Sequence, residues 1–274
     1  MQQTLEQLKT MKLTGMVEAW QQQQSSSSFH DLSFDERFTL LVEREYLRRQ
    51  NQRLQRRLKQ ARLPMQATLD AVDFDVPRGI RKMQFIEFTQ GKWLTERLNL
   101  ILMGPTGIGK SFLASVLSDH LCKQGHSVRY FKTADLILQL KLSKADGSYP
   151  KLRKQLTAFE VLVLDEWLRD LLSMQEAREM LDILDERYRH ASCVFVTQMP
   201  IEQWHPQIQD PTIADAILDR IVHDSMKVTL RGESMRRLTS KLTPNKEKEK
   251  KTEQQKDNTQ RQDSQQEQMT QEDQ

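Results

Sequence analysis

Gly104-Pro105-Thr106-Gly107-Ile108-Gly109-Lys110-Ser111 follows directly on the apolar run Leu100-Ile101-Leu102-Met103. Glycines at 104, 107 and 109 let the backbone take positive φ and put no Cβ in the way, so successive N–H groups can point at phosphate oxygens. Lys110 adds a full positive charge, and the start of the following helix adds a partial one. Ser111 supplies a hydroxyl to a magnesium ion (Mg2+) bridging the outer phosphates. Further on, Phe112, Leu113, Val116, Leu117 and Leu121 form one helical stripe, and Gly125 stands where a helix C-cap glycine belongs. This order of apolar strand, glycine loop and helix predicts a nucleoside triphosphate site spanning residues 104 to 111.

A second constellation is Val161-Leu162-Val163-Leu164-Asp165-Glu166, a buried strand ending in two carboxylates. Ligands of open α/β sheets sit at the carboxyl ends of the strands. Asp165 is placed to hold magnesium through water, and Glu166, facing the other way, to orient or deprotonate an attacking water. Thr197 closes the next apolar strand, where its hydroxyl either reports a γ-phosphate or simply ends the strand. Arg220 lies in Thr212-Ile213-Ala214-Asp215-Ala216-Ile217-Leu218-Asp219-Arg220, a helix expected to be capped by Thr212. It either reaches a neighbouring subunit's nucleotide as an arginine finger or pairs with Asp224 on its own helix face.

The elements that must carry these groups are readable from periodicity. The first 63 residues contain one glycine, Gly15, and no proline, and Leu5, Leu8, Met16, Val17 and Trp20 recur at helical spacing. After a break expected at Gln21 to Ser28, Ser33 and Glu36 form a capping box opening a helix that can run to Leu63, where Pro64 stops it. Phe34, Phe38 and Leu41 are its expected apolar face. Residues 66 to 99 read as a connector with Pro77 and Gly79. Strands are expected at Leu100–Met103, Val128–Phe131, Val161–Leu164, Val194–Val196 and Met226–Leu230, continuous apolar runs that predict a parallel sheet covered on both faces. Ser173 and Glu176 form a second capping box, followed by the stripe Ala177, Met180, Leu181, Leu184 and Tyr188.

Composition sets the bounds. The chain has 274 residues, of which 37% are hydrophobic, enough for a large core, and its net charge is only +3. No apolar run approaches the ~20 residues of a membrane span, and no signal segment is evident, so a soluble, unexported protein is expected. Cys122 and Cys193 lie far apart without a metal-binding pattern and read as reduced core residues. After Leu242 the composition becomes almost wholly polar, with Met269 the one large apolar side chain, which predicts disorder over 243–274.

Two basic clusters stand out. Arg49, Arg53, Arg56, Arg57 and Arg62 cover more than one face of the long helix, while Lys141, Lys144, Lys151, Arg153 and Lys154 bracket Asp146-Gly147-Ser148-Tyr149. Phosphate backbones are the usual sink for such density. Solvated surface and acidic neighbours within the fold are the alternatives.

The order of parts resembles a family. The phosphate loop, Asp165-Glu166, Thr197, Ala214-Asp215-Ala216-Ile217-Leu218-Asp219-Arg220 and Gly232-Glu233-Ser234-Met235-Arg236-Arg237 together resemble the IstB/DnaC-like branch of AAA+ ATPases, and IstB in particular, the helper of insertion-sequence transposition. Leu32-Ser33-Phe34-Asp35-Glu36-Arg37, Asn51-Gln52-Arg53-Leu54, Asp146-Gly147-Ser148-Tyr149 and Asp210-Pro211-Thr212 share in it, so it spans roughly residues 5 to 240. The resemblance implies an α/β fold, an AAA+ P-loop NTPase with a parallel five-stranded sheet behind a small helical N-terminal domain. Residues 1–65 would be that helical, DNA-binding or oligomerising domain, 66–242 the ATPase domain with a small lid, and 243–274 the tail. ATP and Mg2+ would be the cofactors, and Lys110, Glu166, Thr197, Arg220 and Arg236 the catalytic set, with Arg236 sensing nucleotide from the lid and Arg220 acting across a subunit boundary. Duplex DNA, a transposase and further copies of the chain would be the partners, in a bacterial cytoplasm at the nucleoid.

On this reading Arg49, Arg53, Arg56, Arg57, Lys141 and Lys144 are the candidate DNA contacts. No helix-turn-helix or zinc finger is present, so DNA binding is expected to be sequence-independent, set by backbone contacts and deformability. A DnaC-like helicase loader keeps the machinery and changes the partner; a small-molecule kinase and a non-hydrolysing switch keep only the loop. The chain departs from the family where Asp165-Glu166-Trp167-Leu168 replaces the common Asp-Asp-Trp/Phe-Gly, and where Val196-Thr197-Gln198 replaces Thr-Ser-Gln.

Overall fold

The computed structural model describes residues 2–238, so the polar tail expected over 243–274 lies outside the described residues. Five strands, β1 (Asn99–Met103), β2 (Val128–Lys132), β3 (Val161–Asp165), β4 (Ser192–Thr197) and β5 (Ser225–Thr229), form one parallel sheet in the order β2-β3-β4-β1-β5. Register aligns Met103 with Thr197 and Asp165 with Val196, so the chemistry-bearing strand ends share one edge of the sheet.

The apolar runs are continuous because both faces are covered. Leu100, Leu102, Val161, Val163, Val194 and Val196 enter one core, and the residues that alternate with them, Ile101, Leu162, Leu164, Cys193 and Phe195, enter the other. The described residues include eleven α-helices: α1 (Gln2–Thr10), α2 (Thr14–Ser25), α3 (Phe34–Ala61), α4 (Lys82–Thr89), α5 (Lys92–Thr95), α6 (Lys110–Gln124), α7 (Thr133–Ala145), α8 (Tyr149–Ala158), α9 (Met174–Arg187), α10 (Pro211–Val222) and α11 (Met235–Leu238). Side chains of α4, α5 and α6 fill the first core, and those of α7, α8, α9 and α10 the second. Cys122 and Cys193 are buried free thiols.

Both expected capping boxes are formed, at Ser33/Glu36 and Ser173/Glu176. Gly125 ends α6 in the left-handed conformation, its N–H on the Leu121 and Cys122 carbonyls. Helix α3 bridges two layers. Its C-terminal half lays Leu54, Leu58 and Ala61 on the first core, and its N-terminal half holds α2 through Glu45. That buried carboxylate accepts from the Gly15 N–H at 2.6 Å and pairs with Arg49 at 2.7 Å. A Cβ at Gly15 would sit 2.8 Å from Glu45 Cα, which is why the helical N-terminus contains its single glycine there.

Four local expectations are corrected. Helix α2 runs through Gln21 to Ser25, so the expected break is narrowed to its last residues, from Ser26, which is extended; a further break falls at Lys12, whose φ of 60° is left-handed. Of the expected apolar face of α3 only Leu41 is buried; Phe34 is 71% exposed and stacks on Phe38, which is also exposed. The connector contributes α4 and α5, and with them Phe85, Phe88 and Trp93 to the core. Helix α10 is capped by Asp210, which accepts from the Ile213 N–H at 3.0 Å, with Pro211 rather than Thr212 opening the helix; proline suits that position because its missing N–H would have no acceptor there.

The chain up to Gly232 is one compact unit that contains α1 to α3 as well as the sheet, and the residues from Glu233 are another. The described part of the second is residues 233–238, with α11 and an Arg237 N–H to Ser234 carbonyl bond of 2.9 Å.

Candidate nucleotide site

The loop from β1 into α6 takes the strained backbone that its glycines permit. Gly104, Gly107 and Gly109 have φ of 150°, 83° and 100°. At Gly104 a Cβ would meet the Leu230 carbonyl oxygen at 2.6 Å, so that position also demands glycine for space. Ile108 is fully buried in the first core; only its backbone can face a ligand. Thr106 donates its hydroxyl proton to Gln198 Oε1 at 2.6 Å. Lys110 Nζ is folded onto the carbonyls of Gly104 at 2.7 Å and Pro105 at 2.9 Å. Burial lowers the Lys110 pKa, and the Asp165 carboxylate acts against that shift. A cation held on two carbonyls is one that a phosphate can draw out.

Asp165 is buried and doubly bound: Oδ1 accepts from the Glu166 N–H at 2.8 Å and Oδ2 from the Tyr130 hydroxyl at 2.6 Å. Burial and the adjacent Asp165 push the Tyr130 pKa upward, while the neighbouring Ser111 and Ser115 hydroxyls oppose the shift. The Tyr130 hydroxyl therefore stands among Ser111, Ser115 and Asp165, which ties the start of α6 to the end of β3. Ser111 and Asp165 present the hard oxygen donors magnesium takes. Sequence reasoning missed Tyr130; its signal was a hydroxyl-bearing aromatic in an otherwise apolar strand beside the one ending in Asp165.

Glu166 sits at φ 57° and Leu168 at φ 53°, both left-handed. The common family glycine at the latter position is thereby accounted for, and here a buried leucine occupies it instead. The turn is pinned between them: the Trp167 N–H donates to Val196 at 2.9 Å, and its carbonyl accepts from the Thr197 hydroxyl at 2.9 Å. Thr197 is buried, and its oxygen also accepts from the Met199 N–H at 3.1 Å, so both its functions are used inside the fold. Gln198, one residue on and bonded to Thr106, is the polar group that β4 brings to the phosphate loop. Its signal was present in the family pattern, one place beyond Thr197.

Arg220 projects from α10 and pairs with Asp185 on α9, lies 3.6 Å from Asp219, and donates to the Ala216 carbonyl at 3.2 Å. The expected partner Asp224 instead lies 3.7 Å from Arg189. Arg236 belongs to α11, in the unit that begins at Glu233.

The basic candidates divide. Arg49 is held by Glu45, and Arg57 donates to the Cys122 carbonyl at 3.0 Å. Lys141 and Lys144 each pair at 2.7 Å, with Glu176 and Glu179, as a two-rung ladder between α7 and α9. Arg53 and Arg56 form no ion pair among the described residues. Arg56 lines a groove on α3 together with Arg44, Arg48, Asn51, Gln52 and Gln55. Among the described residues no helix is long and apolar enough to cross a membrane.

Residues 6–243 match the model of the IstB-like ATP binding protein family. A protein of Sinorhizobium fredii named as an insertion sequence ATP-binding protein is 39% identical over 234 residues, 85% of this chain and 96% of that one. Another so named, from Pseudomonas fluorescens, is 36% identical over 200 residues, 73% and 87% of the two chains. The crystal structure of DnaI resembles this fold with a TM-score of 0.53 at 20% identity, over 61% of this chain and 92% of that one. AMPPCP-bound DnaA from Aquifex aeolicus does so with 0.54 at 15% identity, over 68% and 59%. The fold is that of an AAA+ P-loop NTPase, and the chain belongs to the IstB-like ATP binding protein family.

Proposed function

We propose that this protein is an AAA+ ATPase that binds duplex DNA without sequence preference, assembles side by side on it in the ATP state, and presents that DNA to a partner transposase. The observation that supports it most is the convergence of Lys110, Ser111, Tyr130 and Asp165 on one edge of the sheet, with Glu166 next in the chain. In this reading Lys110 and the loop N–H groups bind the phosphates of ATP, and Ser111 and Asp165 hold magnesium. Water adds to the γ-phosphorus, Glu166 takes its proton, and ADP leaves. Gln198 is the β4 candidate for sensing the γ-phosphate, Thr197 the weaker one because the fold already uses its hydroxyl, and Arg236 the candidate from the lid. Arg220 serves a neighbour's site, which would make hydrolysis depend on assembly.

The DNA reading is supported by the guanidiniums of α3 that form no ion pair among the described residues, Arg53 and Arg56 among them; Arg49, Arg57, Lys141 and Lys144 are the weaker candidates because the fold already uses them. The transposase reading is supported by the insertion-sequence names of the relatives. A helicase loader would share the ATPase machinery, and pull-down against a replicative helicase and a transposase separates the two. The decisive experiment measures duplex affinity of the full chain with ATP and with ADP at one salt concentration. Tighter binding with ATP is expected; equal affinity overturns the proposal.

A further inference from the structure

Glu166 is ringed by cations. Its Oε2 is hydrogen-bonded by the Arg169 guanidinium, and its Oε1 lies 3.5 Å from Lys132 Nζ. Arg169 is in turn anchored by Asp170, which accepts from its second terminal nitrogen at 2.7 Å. The backbone of this turn is fixed by the Trp167 bonds to β4 and β4's Thr197, by buried Leu168, and by an Arg169 N–H to Glu166 carbonyl bond of 3.1 Å. The two side chains that leave it, Glu166 and Arg169, both line a cleft between α7 and the β3–α9 segment, together with Thr133, Ile137, Leu138 and Lys141. One oxygen of the carboxylate is held by Arg169 in a cleft that none of residues 104 to 111 lines, so Glu166 has to leave this rotamer before it can face a water at the phosphates.

We infer that Arg169 is a positioning residue that holds Glu166 in a resting arrangement, so that hydrolysis waits on the opening of this pair. The inference rests on the reading of Glu166 as the base. The rigid turn leaves a side-chain rotation as the way to release Glu166. Arg169 can yield, because its side chain is 47% exposed and Asp170 already holds its other nitrogens. The lysine contact is longer and comes from another strand, so the arginine is the tighter restraint.

The test uses the full chain with Mg-ATP. Arg169→Ala should raise kcat about two- to fivefold, the range an exposed ion pair supports, while KM stays unchanged; Arg169→Lys should return kcat toward the wild-type value. A readout without nucleotide accompanies it: thermal unfolding of Glu166→Gln, Arg169→Ala and the double variant should be non-additive, by roughly 1–2 °C. Unchanged or lowered kcat in Arg169→Ala, or strictly additive unfolding shifts, overturns the inference. Wild-type chain that turns over no ATP instead overturns the underlying reading of Glu166, and with it the restraint.

Discussion

Arg220 and Asp185 pair across α10 and α9, so the arginine proposed to serve a neighbouring active site rests on a carboxylate of its own protomer. The guanidinium is 31% exposed and the carboxylate 45%, which makes the pair worth no more than about 1 kcal/mol. Assembly can therefore break it at small cost, and what it contributes is a defined starting position for the side chain.

Arg220→Ala should keep ATP affinity and lose roughly a thousandfold in turnover, the scale of an arginine finger. Asp185→Ala should leave folding stability within about 1 kcal/mol of wild type and keep turnover. ATPase rates taken over a range of protein concentrations check both. Undiminished turnover in Arg220→Ala would mean that the side chain only joins two helices.

The two basic regions should separate in mutagenesis. Glu179 is 2% exposed, so Lys144→Ala leaves a buried carboxylate without its cation and should cost about 2–4 kcal/mol in urea unfolding. Arg53→Ala and Arg56→Ala should leave unfolding unchanged, weaken duplex binding, and each reduce the salt dependence of log affinity by about 1. Equal loss of DNA binding in a stably folded Lys144→Ala variant would contradict this division.

Leu168 combines a left-handed backbone with complete burial. Glycine there relieves about 1 kcal/mol of backbone strain but forfeits about 2–3 kcal/mol of burial. Leu168→Ala forfeits most of the burial and keeps the strain. Both variants should be less stable than wild type, with glycine the more stable of the two, an inversion of the usual order that denaturant midpoints would reveal.

Cys122 lies against the first core, and burial, with Asp119 nearby, pushes its pKa up to about 11. Raising a thiol pKa from 9.0 to that value lowers the thiolate fraction at pH 8 by about a hundredfold. Alkylation of the native chain at Cys122 should thus be slow at pH 8 and accelerate as pH rises toward 11. Mass spectrometry after timed iodoacetamide exposure checks this, with rapid labelling at pH 8 as the contrary outcome.

Much of this protein is decided by patterns a few residues long. Four glycine and lysine positions, 104, 107, 109 and 110, specify a phosphate loop because positive φ and a bare backbone are local requirements. Ser33/Glu36 and Ser173/Glu176 start their helices through contacts three residues apart. Apolar runs such as Val161–Leu164 announce a sheet buried on both faces, and all five expected strands are present. What no local pattern holds is the choice of partner between segments distant in the chain. Asp185 reaches Arg220 from 35 residues away, Tyr130 reaches Asp165 from 35, and Gln198 meets Thr106 across 92. Charge and hydrogen-bonding capacity are legible in a sequence, but which opposite group satisfies them depends on helix packing and strand register. Hence Lys141 and Lys144 read equally well as free cations until α9 is laid beside α7.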